Sequence, residues 1–507
     1  MTHPSPGRSA SSHWVRRYAL PAAVAGLLAL GTWFRLDGIT GSLWIDEFGT
    51  FWVVEGDLGT VIQRTLAFQG QSPFYYLLAW IPIHLFGESE VALRGVSLLS
   101  GVLFVVALYA GGRAIAGPRA GRYAAALGWL SSYSLASSVE ARPYALVLLG
   151  AAVAIAAFCS AVRSGGRGAR AMWILGGASV AWAHYVHYPL VMGLFAAYAL
   201  LPDLRAKYTP RRFLLDGLAQ GVLVALCVPQ ILALLARQGT LAWSDGASPF
   251  VFVWPLLPLL PAIVLGLGLR DAGRDRVDAA LHRGLWICLL SQVGTLEVAA
   301  LAGINLLSVR YFVSILAPGA LLASVALSRL RWREAAAGFL IFGCITGGEI
   351  AIAKRGTGTF SGVGYEDWKG AVTALAGRLP TTTGTPLVLF RSGLVEEDVA
   401  PLGKPGVVTL SPLRSPGREA FPWPVTSLTF RWDNPARKAY FDEAIAPAVQ
   451  RASQVFVLSP TFSTEPVSYV DQFMSWVEDT WPGRFQVTPT GFGSVALIEF
   501  TEKRDPR

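Results

Sequence analysis

Apolar runs recur along the first 353 residues with basic clusters in every second loop, and this alternation constrains the fold more than any other feature of the sequence. A helix needs about 20 apolar residues to cross roughly 30 Å of hydrocarbon. Within lipid, every backbone polar group must be satisfied inside its own segment, which favours helices. Candidate spans cover residues 18–34, 92–112, 121–139, 143–162, 171–186, 188–202, 213–236, 250–269, 284–304, 311–328 and 335–353. Several are short, so their edges are soft. Arg8, Arg16 and Arg17 precede the first run. Later clusters are Arg113, Arg119 and Arg122; Arg163, Arg167 and Arg170; Arg205, Lys207, Arg211 and Arg212; Arg270, Arg274, Arg276 and Arg283; and Arg329, Arg331 and Arg333. With about eleven spans all of these fall on one side, which the positive-inside rule makes cytoplasmic. The opposite loops hold few cations, chiefly Arg142, Arg237 and Arg310. The chain after Ala353 is then expected outside the cytoplasm.

Only 15% of the 507 residues are charged and 53% are hydrophobic, whereas a soluble domain carries about 25% charged residues. The net charge of +9 sits in loops between apolar runs, so it encodes topology and does not indicate a nucleic-acid surface. The four cysteines lie singly inside apolar runs, which argues against a disulfide framework or a thiolate metal site. Arg16 and Arg17 ahead of an apolar run resemble a signal peptide, but Trp33-Phe34-Arg35-Leu36 is a poor cleavage context. The run reads as an uncleaved first span.

Counting Phe74 to Gly87 as a further span would reverse every later loop. Its 14 residues make about 21 Å of helix, and Pro82 interrupts it. It is expected to lie in or dip into the outer interface. Residues 35–91 then form one long outer loop, and a loop of that length calls for a functional reason.

Polar groups collect on this outer face. Gly41-Ser42-Leu43-Trp44-Ile45-Asp46-Glu47-Phe48 places adjacent carboxylates just beyond the first span, between aromatic residues. A positioned carboxylate can serve as a general base; a solvated loop with interfacial aromatic anchors would carry the same residues. Glu140-Ala141-Arg142-Pro143-Tyr144 joins two spans, with Pro143 suited to the first turn of the second. His184-Tyr185-Val186-His187-Tyr188 joins the next outer pair, and Asn305 and Arg310-Tyr311 open another span. Arginine suits phosphate in partly dry surroundings; Arg142 and Arg310 would also fit as residues snorkelling to headgroups. His184 and His187 would make half a metal site, but no third ligand is evident.

Taken in order, W-x-D-E, S-P-F-Y-Y-L-L, G-x-S-E-x-x-x-R (Gly87 to Arg94), E-A-R-P-Y-A-L, H-Y-V-H-Y and R-Y-F-V-S-I-L-A-P resemble the GT-C glycosyltransferases. The likeness covers about residues 15–360 and is nearest the bacterial branch related to protein O-mannosyltransferases and aminoarabinose transferases. It implies a polyprenyl-phosphate-linked sugar donor, a glycan, lipid or protein acceptor at the outer face, and inversion at the anomeric carbon. It further implies Asp46 as base, with Glu47 supporting it or helping to hold a divalent cation such as Mg²⁺ or Mn²⁺. Arg142 and Arg310 would hold the donor phosphate, and Trp44, Tyr75, Tyr144, His184, His187 and Tyr311 would contact substrate. Gln71-Ser72-Pro73 stands where many members of the family have His-Pro-Pro, so any role of that histidine is missing.

Residues 360–507 read as a soluble α/β domain. Helices are expected over Tyr365–Leu379, Phe441–Arg451 and Val467–Trp481, and strands over Thr385–Phe390, Gln454–Leu458 and Ser494–Phe500. The expected whole is a polytopic α-helical membrane protein with interfacial helices in its first outer loop. It divides into a cytoplasmic tail (1–17), a transmembrane transferase domain (18–356) and an extracytoplasmic α/β domain (357–507). A transporter would instead call for acidic or broken helices at mid-membrane and an internal repeat; Glu297 is its one supporting feature. A non-enzymatic envelope scaffold would leave the outer cluster without a purpose.

Overall fold

The structure is a computed structural model that describes residues 10–66, 72–236, 250–267, 276–304, 306–354, 366–379, 386–391, 425–429, 431–461 and 467–503. Asn305 and Gln71 lie outside them. The first helix, α1 (Ala10–Ile39), is followed by three shorter helices, α2 (Ile45–Val54), α3 (Leu58–Arg64) and α4 (Pro73–Phe86). They fill the long loop expected between the first two spans. Ser72 caps α4, Pro73 occupies its first turn, and Gly87 ends it at φ +85°, a conformation that favours glycine. Pro82 sits inside α4 without breaking it.

Helix α5 (Glu90–Ala116) is followed by α6 (Pro118–Leu130), α7 (Ser132–Ser138), α8 (Tyr144–Ser164), α9 (Arg167–His184) and α10 (Tyr188–Leu200). After these come α11 (Pro202–Lys207), α12 (Pro210–Ala225), α13 (Val228–Ala236), α14 (Val253–Leu256), α15 (Leu260–Leu267) and α16 (Arg276–Leu301). A 3₁₀ segment, Val309–Ile315, leads into α17 (Leu316–Arg329), and α18 (Trp332–Lys354) follows. Among the described residues, five helices are long and apolar enough to cross a membrane: Glu90–Ala116, Tyr144–Ser164, Arg276–Leu301, Val309–Arg329 and Trp332–Ile352.

Three runs that read as single helices are broken. Residues 121–139 divide at Ser131, whose ψ of 130° leaves the helical region. Residues 213–236 divide at Leu226–Cys227, just before Pro229, whose ring excludes a continuous hydrogen-bond ladder. The run 250–269 holds Pro255, Pro258 and Pro261, and its described part, 250–267, forms two short helices. The pairs α5–α8 and α8–α9 pack closely through small residues. At Gly176, for example, a Cβ would stand 2.8 Å from the Ala154 nitrogen. Large side chains such as Leu103, Val106, Leu218 and Val222 stay exposed, as expected where lipid is the solvent.

The last part is an α/β unit with sheet order β2-β1-β3-β5-β4. Its strands are β1 (Pro386–Arg391), β2 (Val425–Leu428), β3 (Gln454–Pro460), β4 (Phe485–Phe492) and β5 (Val495–Glu502). β1 lies parallel to β2 and β3, with Val388 opposite Phe456, and β5 runs antiparallel to β3 and β4. Its helices are α19 (Trp368–Arg378), α20 (Arg437–Tyr440), which continues through a π turn at Phe441–Ile445 into α21 (Ala446–Arg451), and α22 (Tyr469–Thr480). One sheet face (Leu389, Val455, Val457, Phe500) packs on Phe441, Ile445, Phe473 and Val477. The other face (Val388, Phe390, Phe456, Leu458) shares a hydrophobic cluster with Trp368, Leu375, Phe48, Phe51 and Tyr76. The α/β unit is therefore packed against the helices of the first loop. β2 and β4 are additions to the strands expected from the sequence, and Tyr365 lies outside the described residues.

Candidate active site

The Asp-Glu pair opens α2, and its two carboxylates have different surroundings. Glu47 is fully buried. Its Oε1 accepts from Arg94 Nε at 2.7 Å and from the Ala141 amide at 2.6 Å. Its Oε2 accepts from Arg94 Nη2 at 2.6 Å and from the Trp44 amide at 3.3 Å. Arg94 also donates to the carbonyls of Gly38, Ile39, Gly41 and Ser42 at 2.8–3.1 Å. This arginine thus fastens the end of α1, the turn after it and the first turn of α2 to α5. Such fork-to-fork pairing is the geometry in which a buried ion pair is well compensated.

Asp46 faces the other way and keeps 28% of its side chain exposed. Its Oδ2 lies 3.0 Å from Arg310 Nη1 and 3.5 Å from Arg142 Nη2. The three residues come from three distant segments. Arg142 is held because its loop is pinned on both sides: the Ala141 carbonyl accepts from Thr50 Oγ1 at 2.8 Å, and the Arg142 carbonyl from Ser97 Oγ at 3.2 Å. Arg310 rides on the 3₁₀ segment, which Gln292 of α16 ties to the histidine turn. Gln292 Nε2 donates to the carbonyls of Val186 and Tyr311, both at 3.1 Å, and its Oε1 accepts from the Leu190 amide at 3.1 Å. The Arg310 guanidinium also stands over the Trp44 ring at 5.8 Å.

The aromatic and histidine residues close around this cluster. His184 lies 6.1 Å from Tyr144, 5.4 Å from His187 and 5.6 Å from Tyr311, ring centre to ring centre. His187 Nδ1 shares a hydrogen bond of 3.0 Å with Ser314. His184 Nδ1, His187 Nε2 and Trp44 Nε1 are buried with no partner among the described residues, and buried polar atoms left so are costly unless something meets them. Tyr75 is brought into the fold differently. Its hydroxyl is engaged with Ser97 at 2.8 Å, while its neighbour Tyr76 stands beside Arg142, Asp46 and Tyr144.

Four residues at the site were given no role from the sequence: Arg94, Tyr76 and Glu140, which stand within its motifs, and Glu366, which carried no signal. The only sequence signal for Arg94 was its place in the G-x-S-E-x-x-x-R motif. Burial pushes the Glu140 carboxyl up to about 8, with Glu47 adding to the rise and Arg142 opposing it. Glu366 reaches the site from the start of the α/β unit, where its Oε2 accepts from the Ile45 amide at 3.0 Å.

The donor set around the Asp-Glu pair does not fit a divalent cation. Both oxygens of Glu47 are engaged by cationic and amide donors, and Asp46 faces two guanidinium groups. Among the described residues no three His, Cys, Asp or Glu side chains converge.

A groove of about 1650 Å³ runs along one stripe of α8, between α5 and α9. It extends from Phe74, Leu146 and Leu149 near the site to Arg113, Arg163 and Arg329 at the far end. It does not include Asp46.

Residues 70–232 match the family model described as dolichyl-phosphate-mannose-protein mannosyltransferase. No curated protein matches the chain in sequence. The fold is similar to that of ArnT from Cupriavidus metallidurans in the apo state. That comparison has 14% identity and a TM-score of 0.52, and it covers 97% of this chain and 98% of that one. The same protein bound to undecaprenyl phosphate gives 12% identity, coverage of 94% and 98%, and a TM-score of 0.54. At these identities the likeness is one of fold.

Proposed function

We propose that the chain is a membrane glycosyltransferase of the GT-C superfamily, and that it transfers a sugar from a polyprenyl-phosphate-linked donor to an acceptor hydroxyl, with inversion and with Asp46 as general base. The observation that carries this reading is the partly exposed Asp46 carboxylate held between Arg310 and Arg142 at 3.0 and 3.5 Å. Two arginine forks converging on one spot form a phosphate site, and a carboxylate within that spot is placed to receive a proton from an attacking hydroxyl. Without donor, the arginines pair with Asp46. A donor phosphate competes for the same forks, and its arrival frees the carboxylate for the acceptor.

Chemically, the acceptor oxygen attacks the anomeric carbon as the bond from that carbon to the phosphate oxygen breaks. The hydroxyl proton passes to Asp46, and the leaving phosphate takes the bonding pair. Arg142 and Arg310 then meet the growing charge on that phosphate, a preorganised electrostatic role of the kind that contributes most to such steps. The unpartnered ring nitrogens of His184 and His187 suit neutral sugar hydroxyls. The groove along α8, floored by Gly150, Val153, Ala156 and Ala157, suits the isoprenoid tail.

The same reading extends to topology: eleven spans, basic loops in the cytoplasm, the site and the α/β unit outside, and residence in the cytoplasmic membrane. The test is direct. Purified protein in nanodiscs should release sugar-free polyprenyl phosphate from a polyprenyl-phosphate sugar only when an acceptor is supplied. Equal transfer from a nucleotide sugar would refute the donor assignment.

A further inference from the structure

Glu366 to Lys369 bring the start of the α/β unit onto the first turn of α2 and the end of α1. Glu366 is fixed from behind, because it forms an antiparallel bridge with Gly493, and the next amide, of Asp367, donates to the Phe492 carbonyl at 3.3 Å. Both partners lie at the turn between β4 and β5, so Glu366 moves with the sheet. Its Oε2 accepts from Trp368 Nε1 at 2.6 Å and from the Ile45 amide at 3.0 Å. Trp368 in turn meets Phe48 edge to face at 6.2 Å. Lys369 completes the dock: its amide reaches Ser42 Oγ at 3.3 Å, and its Nζ reaches the Thr40 carbonyl at 2.9 Å and Glu90 at 2.7 Å.

Ile45 is the first residue of α2. The first amides of a helix have no partner within it and must find one elsewhere. Glu47 already serves the Trp44 amide, and Glu366 serves the next. The residue after Ile45 is Asp46, so the bond to Glu366 fixes the backbone from which the Asp46 side chain departs. Removing it releases the first turn of α2 on the side that faces Arg142 and Arg310, while Arg94 and Glu47 still anchor the other side. A carboxylate at the positive end of a helix is also favoured by the helix dipole. Burial, against the hydrogen bonds from Trp368 and Ile45, pushes the Glu366 carboxyl up to about 7, in keeping with a group enclosed between the two units.

We propose that Glu366 is a positioning residue for the transfer reaction: from the α/β unit it holds the first turn of α2 and so sets the direction in which Asp46 faces. This rests on the reading of Asp46 as the base. It gives the α/β unit a part in turnover through a contact that any movement of its sheet would alter.

The test uses the full chain in nanodiscs and compares turnover with donor binding. Misplacing a reacting group by about 1 Å costs up to about 10²-fold. Glu366→Ala should therefore lower kcat about 10- to 100-fold, with affinity for the polyprenyl-phosphate sugar unchanged within about twofold. Glu366→Gln, whose amide oxygen still accepts from Ile45 and Trp368, should restore kcat to within a few-fold of the parent. Lys369→Ala loosens the dock without touching the α2 amide and should leave kcat near that of the parent. A folded Glu366→Ala variant with parental kcat would overturn the proposal. An equal loss in Lys369→Ala would overturn it too, since docking as a whole would then be what matters. If Glu366→Ala does not fold, Trp368→Phe keeps the ring against Phe48 but removes the donor that aligns Glu366. It must then lower kcat at unchanged donor affinity, and parental kcat there would overturn the proposal. Asp46→Asn, measured alongside, separates the failures. A fully active Asn variant removes the base reading itself, whereas an inactive one beside a normal Glu366→Ala removes only this inference.

Discussion

Replacing Arg94 by Ala should be among the most destabilising single changes in the site region. Arg94 donates to both oxygens of a fully buried Glu47 and to four carbonyls around the end of α1. Breaking a buried ion pair by removing one partner costs about 3–5 kcal/mol, because the other charge is left uncompensated. The carbonyls of Gly38, Gly41 and Ser42 lie in part-buried bonds, so water can replace some of their donors and they add less. Among the described residues Glu47 would keep only the Ala141 and Trp44 amides. Arg94→Lys preserves the charge but not the planar fork, and should lose part of the same amount. The double variant Glu47→Gln/Arg94→Met carries no buried charge and should be less destabilised than the sum of the single changes by about 2–3 kcal/mol. Mixed-micelle unfolding followed by tryptophan fluorescence measures the parent, Arg94→Ala, Arg94→Lys, Glu47→Gln, Arg94→Met and the double variant. If Arg94→Ala unfolds within about 0.5 kcal/mol of the parent, the range of ordinary surface changes, the clamp is not structural. Strict additivity in the double variant would refute the pairing argument.

Arg142→Ala and Arg310→Ala should each cut turnover sharply with the fold intact, and Lys should rescue only partly; near-normal turnover in both Ala variants would make them headgroup anchors. His187→Phe should weaken binding of the sugar-bearing donor while leaving sugar-free polyprenyl phosphate unaffected, read by competition in nanodiscs; equal weakening of both would assign His187 to the phosphate. Folding raises the Glu140 carboxyl above the ordinary range to about 8, so its contribution to stability is complete below the ordinary carboxyl range and is lost as pH rises through about 8. Glu140→Gln should therefore flatten the decline in unfolding midpoint between about pH 5 and 8, and an unchanged slope would show that another group titrates. A reporter fused after Arg355 should be active only outside the cytoplasm and one near Arg167 only inside; cytoplasmic activity of the first would refute the eleven-span topology.

What the sequence disclosed follows from the range over which each signal acts. Apolar runs announce helices because burial in lipid is a property of each segment alone. The breaks at Ser131 and before Pro229 depend on local backbone geometry inside runs that are uniformly apolar, so hydropathy does not register them. Asp46, Arg142 and Arg310 were legible as a group because each stands in a loop on the same side of the alternation. The contacts that position them were not. Glu47 reads as a second catalytic carboxylate until Arg94, 47 residues away, is seen to occupy it. Glu366 is 321 residues from Ile45, and no periodicity links them. Tyr75 and Tyr76 are adjacent, and only the direction of α4 decides which faces Arg142. In the α/β unit, β2 has four residues and β4 carries Pro489 and a largely exposed face, so neither offers the apolar stretch by which strands are found.

Asp46 carries the proposed chemistry, and transfer by Asp46→Asn tests it most directly. The amide keeps the size and reach of the carboxylate but cannot take up a proton, and losing a general base typically costs about 10²–10⁴ in rate. The measurement is single-turnover transfer from a polyprenyl-phosphate sugar in nanodiscs, with donor binding and unfolding followed in the same preparation. The account predicts a variant that folds, binds donor about as well as the parent and transfers at least about a hundredfold more slowly. A folded Asp46→Asn protein that transfers at the parental rate would contradict it.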